Sequence, residues 1–246
     1  MRGAMRAAPT LAALGAAALL AGCGGSSHAK ATSPSGTAAA ATLAKSRALA
    51  LARPINLQPA DVRGFRAVPN PGKETPQEKA LTRELETCSG GAGEAHKLAE
   101  AKSAEFKREA RGLPQEVSSS VSVEQSPAYA QRDLEAIRSR RGQRCIAKLV
   151  NAALKARNLA GAKVGAVSIA HGTPPTAGTT GAFGLRLTFP LSVQRVSLRA
   201  YFDFLGFARG PVEVTLQSVG VGEALPAAIQ EHLFGVLVAR ARAHPG

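Results

Sequence analysis

Three successive stretches in the second half of the chain alternate apolar and polar residues, and no other feature narrows the fold so far. Phe183, Leu185, Leu187 and Phe189 alternate with Gly184, Arg186 and Thr188. Val196, Leu198, Ala200, Phe202 and Phe204 alternate with Ser197, Arg199, Tyr201 and Asp203. After a Gly-containing turn at 206–210, Val212, Val214 and Leu216 alternate with Glu213, Thr215 and Gln217. A period of two sends successive side chains to opposite faces of a strand. Three such strands joined by short turns predict an antiparallel meander with one dry and one wet face.

Other segments fit around this meander. Val117, Val121 and Val123 share one side of a further strand, and Ser118, Ser120, Ser122 and Glu124 share the other. The serine row reads as the solvent face of that strand. Residues 162–171 form another strand, followed by a Pro/Thr/Gly-rich turn. Helices are predicted from Thr75-Pro76 to Gly90, from Ser126-Pro127, and after Gly142 through Cys145, Leu149 and Ala153. A last helix opens at Pro226 and carries Ile229, Leu233, Val236, Leu237 and Arg240 along one side. That stripe is expected on the dry face of the meander. Residues 94–112 satisfy either a helix or an edge strand. The fold class is therefore α+β, with an antiparallel sheet of about five strands and helices packed on one face.

The N-terminus carries an address. Arg2 and Arg6 precede the short apolar run Leu11 to Leu20, which ends in Leu20-Ala21-Gly22-Cys23. The run is too short to span a bilayer core of about 30 Å as a helix. Its three-part layout is that of a secretory signal. The Leu-Ala-Gly-Cys ending resembles the bacterial lipobox, which implies that Cys23 becomes the acylated first residue of a lipoprotein. The organisation expected is a signal peptide over 1–22, a flexible lipid-anchored tether over 23–52, and one extracytoplasmic domain over 53–246. The tether is rich in Gly, Ser, Ala, Thr and Pro, with some helical propensity from Ala38 to Ala52. With Cys23 lipidated, Cys88 and Cys145 remain as an even pair in an oxidising compartment. A disulfide between them is the natural expectation, worth about 4 kcal/mol on the chain-entropy view.

The formal net charge is +14, and only 4% of residues are aromatic. Basic residues are spread rather than massed, Trp is absent, and a base-stacking platform is not supported. Nucleic acid is not expected as a partner. The membrane, an anionic or amphiphilic ligand, or another envelope protein suits the charge and the address better. No catalytic, phosphate-loop or His-Glu-x-x-His motif occurs. His171 and His232 have no recognisable nucleophile or orienting acid. Glu94 and His96 follow Cys88 without a zinc spacing, so no metal or other cofactor is expected. Glu213 and Glu223 are too isolated to read as an acid/base pair. Arg186, Arg195, Arg199, Tyr201 and Asp203 fall on the wet side of the meander, and four of them (Arg186, Arg199, Tyr201 and Asp203) form the candidate ligand surface.

Several segments carry a resemblance. They are the lipobox, Pro59-Ala60-Asp61-Val62-Arg63-Gly64-Phe65, the pair Cys88 and Cys145, the strand Val117 to Val123, and Asp133-Leu134-Glu135-Ala136-Ile137-Arg138-Ser139. Together they look like small actinobacterial lipoproteins. The order of elements is similar to lipoproteins with a PsbP/Mog1-like α/β sandwich and to extracellular sensor domains of bacterial receptor Ser/Thr kinases. Those sensor domains imply two disulfides, whereas this chain has cysteines for one beyond Cys23. The resemblance implies a stand-alone lipoprotein, and the tether and the lack of catalytic motifs point to a non-enzymatic, lipid-anchored binding or sensor-like domain outside the cytoplasmic membrane. A carrier of amphiphiles is the first alternative, and an envelope hydrolase the second.

Overall fold

The computed structural model describes residues 35–70, 76–156, 162–172, 174, 177–193 and 196–244. Cys23, the expected signal peptide over 1–22 and Arg195 lie outside the described residues. The meander is present. Strands β7 (Gly181–Val193), β8 (Val196–Arg209) and β9 (Val212–Val221) pair antiparallel in succession. They belong to one larger sheet that also takes in β1 (Arg66–Val68), β2 (Lys97–Lys102), β3 (Glu105–Ala110), β4 (Leu113–Glu124), β5 (Ala162–Val164) and β6 (Ser168–Gly172). Its order is β1-β3-β4-β9-β8-β7-β5, with β2 also on β4 and β6 also on β7. Every described pairing is antiparallel. Among the described residues the sheet thus has nine strands rather than about five. Residues 94–112, undecided in sequence, supply a 3-10 turn and the strands β2 and β3.

The helices do not gather on one face. Helices α1 (Ser35–Ile55) and α5 (Ala227–Ala243) lie on the face that carries Val121, Phe207 and Val214. Helices α3 (Pro127–Arg138) and α4 (Arg140–Ala156) cover the opposite face around Phe183, Leu185 and Phe204. Helix α2 (Pro76–Ser89) packs on α4. The reason lies in β8. Its apolar residues run even through Phe202 and Phe204, then odd through Leu205 and Phe207. The strand continues straight through the expected turn at Gly206. It therefore needs apolar cover on both sides.

Register completes the change of face. Val212, Val214 and Leu216 stand opposite Arg209, Phe207 and Leu205, not beside Phe202 and Phe204. The stripe of α5 accordingly packs against β9 on the side away from Phe202. Leu233 and Leu237 are almost fully buried there, and Phe234 meets the Phe207 ring edge-on at 5.4 Å between centroids. Burying one such aliphatic side chain is worth about 2 kcal/mol.

The expected tether boundary at 52/53 falls inside α1. Ala48, Ala52 and Ile55 recur at i, i+4 and i+7, and all three are buried in the core. Small side chains let this helix approach the sheet closely. At its end Asn56 is tied down: Nδ2 donates to the Ala101 carbonyl at 2.9 Å, and Oδ1 accepts from Ser119 Oγ at 2.8 Å. Ser119 is thus buried beneath the start of the domain, on the face opposite Ser118, Ser120 and Ser122. Helix α2 is bonded to α4 through the expected Cys88–Cys145 disulfide, with 5.9 Å between Cα atoms. Such a bond is consistent with an oxidising, extracytoplasmic location. Among the described residues no helix is long and apolar enough to cross a membrane.

Candidate functional site

The serine row does not face solvent. Between β4 and β9 on one side and α2 and α3 on the other lies a cleft of about 100 Å³. Ser120 and Ser122 of β4 and Thr215 of β9 form its floor, and Thr82, Glu86 and Asp133 come from the helices above. Period two places Glu124 on the same side of β4 as Ser122. Register places Glu213 directly opposite Ser122 on β9. Asp133 then descends from α3. One carboxylate oxygen from each of Glu124, Asp133 and Glu213 lies within 4.8 Å of the others.

A glycine-rich loop positions Asp133. Gly90-Gly91-Ala92-Gly93 leads from α2 toward β2, and Gly90 and Gly93 hold φ at +85° and +77°. At Gly91 a Cβ would collide with the Asp133 carboxylate, so the loop approaches only because that side chain is missing. Ala92 N–H donates to Asp133 Oδ1. The other wall is held by the disulfide and by Arg141, whose Nε donates to the Cys88 carbonyl at 2.6 Å at the end of α2. That contact satisfies one of the carbonyls a helix leaves orphaned at its C-terminus.

The electrostatics oppose the charge of the whole chain. Among the described residues, Glu86, Glu94, Glu124, Asp133 and Glu213 line the cleft against Lys97. Burial pushes the Glu213 carboxyl up to about 9, and Asp133 and Glu124 beside it push the same way. Burial raises Glu124 to about 7, with Lys97 opposing. Asp133 is raised by burial against the pull of the Ala92 and Gly93 amides. Burial alone would lower Lys97, but Glu100 and Glu94 beside it hold the ammonium well above its ordinary range. Its Nζ bonds Glu94 and lies 3.6 Å from Glu100. Glu124 Oε2, Glu213 Oε1 and Thr82 Oγ1 are buried without a hydrogen-bond partner. Leaving a buried polar atom unpaired costs about 1–3 kcal/mol, more for a charged one. Such atoms concentrate where a ligand completes the set.

The residues singled out from the meander sit elsewhere. Asp203 is only 4% exposed and lies under α5. Arg186 grips it through Nε and Nη2 at 2.5 and 3.0 Å, and Gln230 Nε2 donates to it at 2.6 Å. The Tyr201 ring lies 6.0 Å from the Arg186 guanidinium. Arg199, His171 and His232 are exposed. The structure therefore joins Arg186 and Asp203 to one another and to a helix rather than to an open groove.

Sequence reading missed Glu124, Asp133 and Glu213 as a set. They come from three elements, and their meeting depends on the β4–β9 register. The one usable signal was Glu124 extending the serine row. Comparison with known proteins returns no match: no family model, no curated protein and no solved structure aligns with the chain.

Proposed function

We propose that this chain is a lipid-anchored, extracytoplasmic binding protein of the actinobacterial lipoprotein kind, and that it takes its ligand in the acidic cleft between β4, β9 and the disulfide-tied helices. The observation that carries the reading is the set of buried, unpartnered oxygens of Glu124, Glu213 and Thr82 around one cavity. A cleft lined by five acids and one lysine selects a cationic group, whatever the charge of the remaining surface. This turns the expected ligand from anionic to cationic. No nucleotide, redox cofactor or nucleic acid enters the reading, and the role is binding rather than turnover.

A second reading has its own support. A small apolar pocket of about 30 Å³ adjoins the cleft and shares Leu85, Ile137, Ile146 and Phe183 with it. A ligand with a cationic head and a short apolar tail would fill both. This is the form in which a carrier of amphiphiles fits the fold.

The test is native mass spectrometry of the full chain, extracted from membranes in mild detergent. The expected result is added mass that leaves on denaturation and is lost in Glu213→Gln. Apo mass alone, with no thermal response to metal salts or organic amines, would overturn the cleft as a binding site. Turnover of ester, peptide or glycan substrates by the purified chain would overturn the non-enzymatic role. Cys23→Ala is expected to move the protein from the membrane to the soluble fraction, and its retention on the membrane would sink the anchor.

A further inference from the structure

We infer that Glu124, Asp133 and Glu213 form a site for a hard divalent cation, with all-oxygen ligands drawn from β4, α3 and β9. This rests on the cleft being the ligand site and goes further by naming what binds there.

Geometry supplies the first argument. An ion that touches two oxygens at 2.3–2.6 Å, roughly the range for Ca²⁺, holds them no more than about 5 Å apart. The three carboxylate oxygens lie within 4.8 Å of one another, inside that limit. Three carboxylates with no sulfur or imidazole among them suit Ca²⁺, Mn²⁺ or Mg²⁺ rather than Zn²⁺ or Cu²⁺.

Unmet bonding supplies the second. Glu124 is only 2% exposed, yet its Oε2 has no partner. Thr82, on a different element and only 4% exposed, lines the same cleft with its hydroxyl unpartnered. A structural ion-pair cluster would have used these atoms. Lys97 does not neutralise the trio by contact, because its Nζ is engaged by Glu94 and Glu100. A divalent ion would satisfy the two glutamates and remove the repulsion among one buried and two half-buried acids.

Protons compete for the same oxygens. Metal binding is therefore expected to release protons and to strengthen as pH rises. The other charged groups facing the trio are Glu86 on α2, Glu94, Lys97 and Glu100 on or before β2, and Arg132 on α3.

The experiment uses the full chain, purified in detergent and stripped with a chelator. Thermal unfolding and titration calorimetry are run with CaCl2, MnCl2 and MgCl2, and separately with a primary diamine. At least one metal is expected to raise Tm with saturation. Glu124→Gln and Glu213→Gln are each expected to weaken that metal by about tenfold or more, as loss of a ligand does. Both amides are isosteric and relieve repulsion, so the metal-free variants should melt no lower than the parent. If one does not fold, Mn²⁺ paramagnetic resonance on the unaltered chain, with displacement by Ca²⁺, reads the same site. No metal response at millimolar salt, or a response that survives both variants, would overturn the site. Diamine binding lost in Glu213→Gln, without metal binding, would overturn the metal and leave the cleft. Failure of both ligands would overturn both.

Discussion

Arg240 of α5 forks onto Asp61, with Nη1 2.8 Å from Oδ2 and Nη2 2.8 Å from Oδ1. The same guanidinium donates to the Asn56 carbonyl at 2.7 Å. One side chain near the end of the chain thus clasps the point where α1 turns into the domain. Asp61 also accepts from the Gln58 amide at 2.7 Å, which closes the 3-10 turn. Breaking a fully buried pair costs about 3–5 kcal/mol. Here the Arg240 side chain is 23% exposed, so Arg240→Met is expected to cost about 2 kcal/mol in urea unfolding. A double-mutant cycle with Asp61→Asn should show coupling above about 1 kcal/mol. Additive effects would mean that the fork is incidental.

The Cys88–Cys145 bond closes a loop with its ends 57 residues apart. The chain-entropy account values this at about 4 kcal/mol, and measured losses run about 2–4. Cys88→Ser with Cys145→Ser should lower the free energy of unfolding, measured in urea, by that amount. It should also weaken ligand binding, because α2 supplies Thr82, Leu85 and Glu86 to the cleft wall. Lost stability with unchanged ligand affinity would show that the wall does not depend on the bond.

Asp203 and Arg199 separate a structural role from a surface one. Asp203→Ala strands Arg186, Gln230 and Ser218 together, and should cost about 2–3 kcal/mol. Arg199→Ala removes an exposed charge and should change stability by less than about 0.5 kcal/mol. Neither change should alter binding in the cleft. Ligand affinity that falls in Arg199→Ala would restore the meander face as the binding surface.

Without metal, the cleft acids make stability fall as pH rises. Glu124 titrates near 4.5 when unfolded and about 7 when folded, and Glu213 near 4.5 and about 9. Between those values the native state holds protons that the unfolded chain has lost. The slope of stability against pH is then negative. Its contribution is fully present below pH 4.5 and lost through pH 7 for Glu124 and pH 9 for Glu213. Urea unfolding in chelator across this range should show the decline, and Glu213→Gln should flatten its upper part. A parent slope that Glu213→Gln leaves unchanged would mean that Glu213 titrates normally.

Much of the fold was legible because its signals are local. Alternation marked β4 and β7–β9, Pro127 and Pro226 marked helix starts, and the even cysteine pair marked the disulfide. Ala48 and Ala52 misled because alanine has little apolar character on its own, so a core-facing helix read as tether. Residues 94–112 were undecided because their composition favours a helix, while Phe106 between charged residues suits an edge strand.

The sequence by itself determined the strands β4 and β7 to β9, most of the helix starts, the pairing of Cys88 with Cys145, and the α+β character of the domain. Only the tertiary structure decided which faces those strands present. Alternation gives each strand two sides but does not say which neighbour shares them. A shift of one residue between β4 and β9 would exchange every side chain across the sheet. That register brings Glu213 opposite Ser122 and next to Glu124. The loop at Gly91 then lets Asp133 reach both. The acidic cleft is a product of long-range pairing, and no local pattern in Glu124, Asp133 or Glu213 announces it.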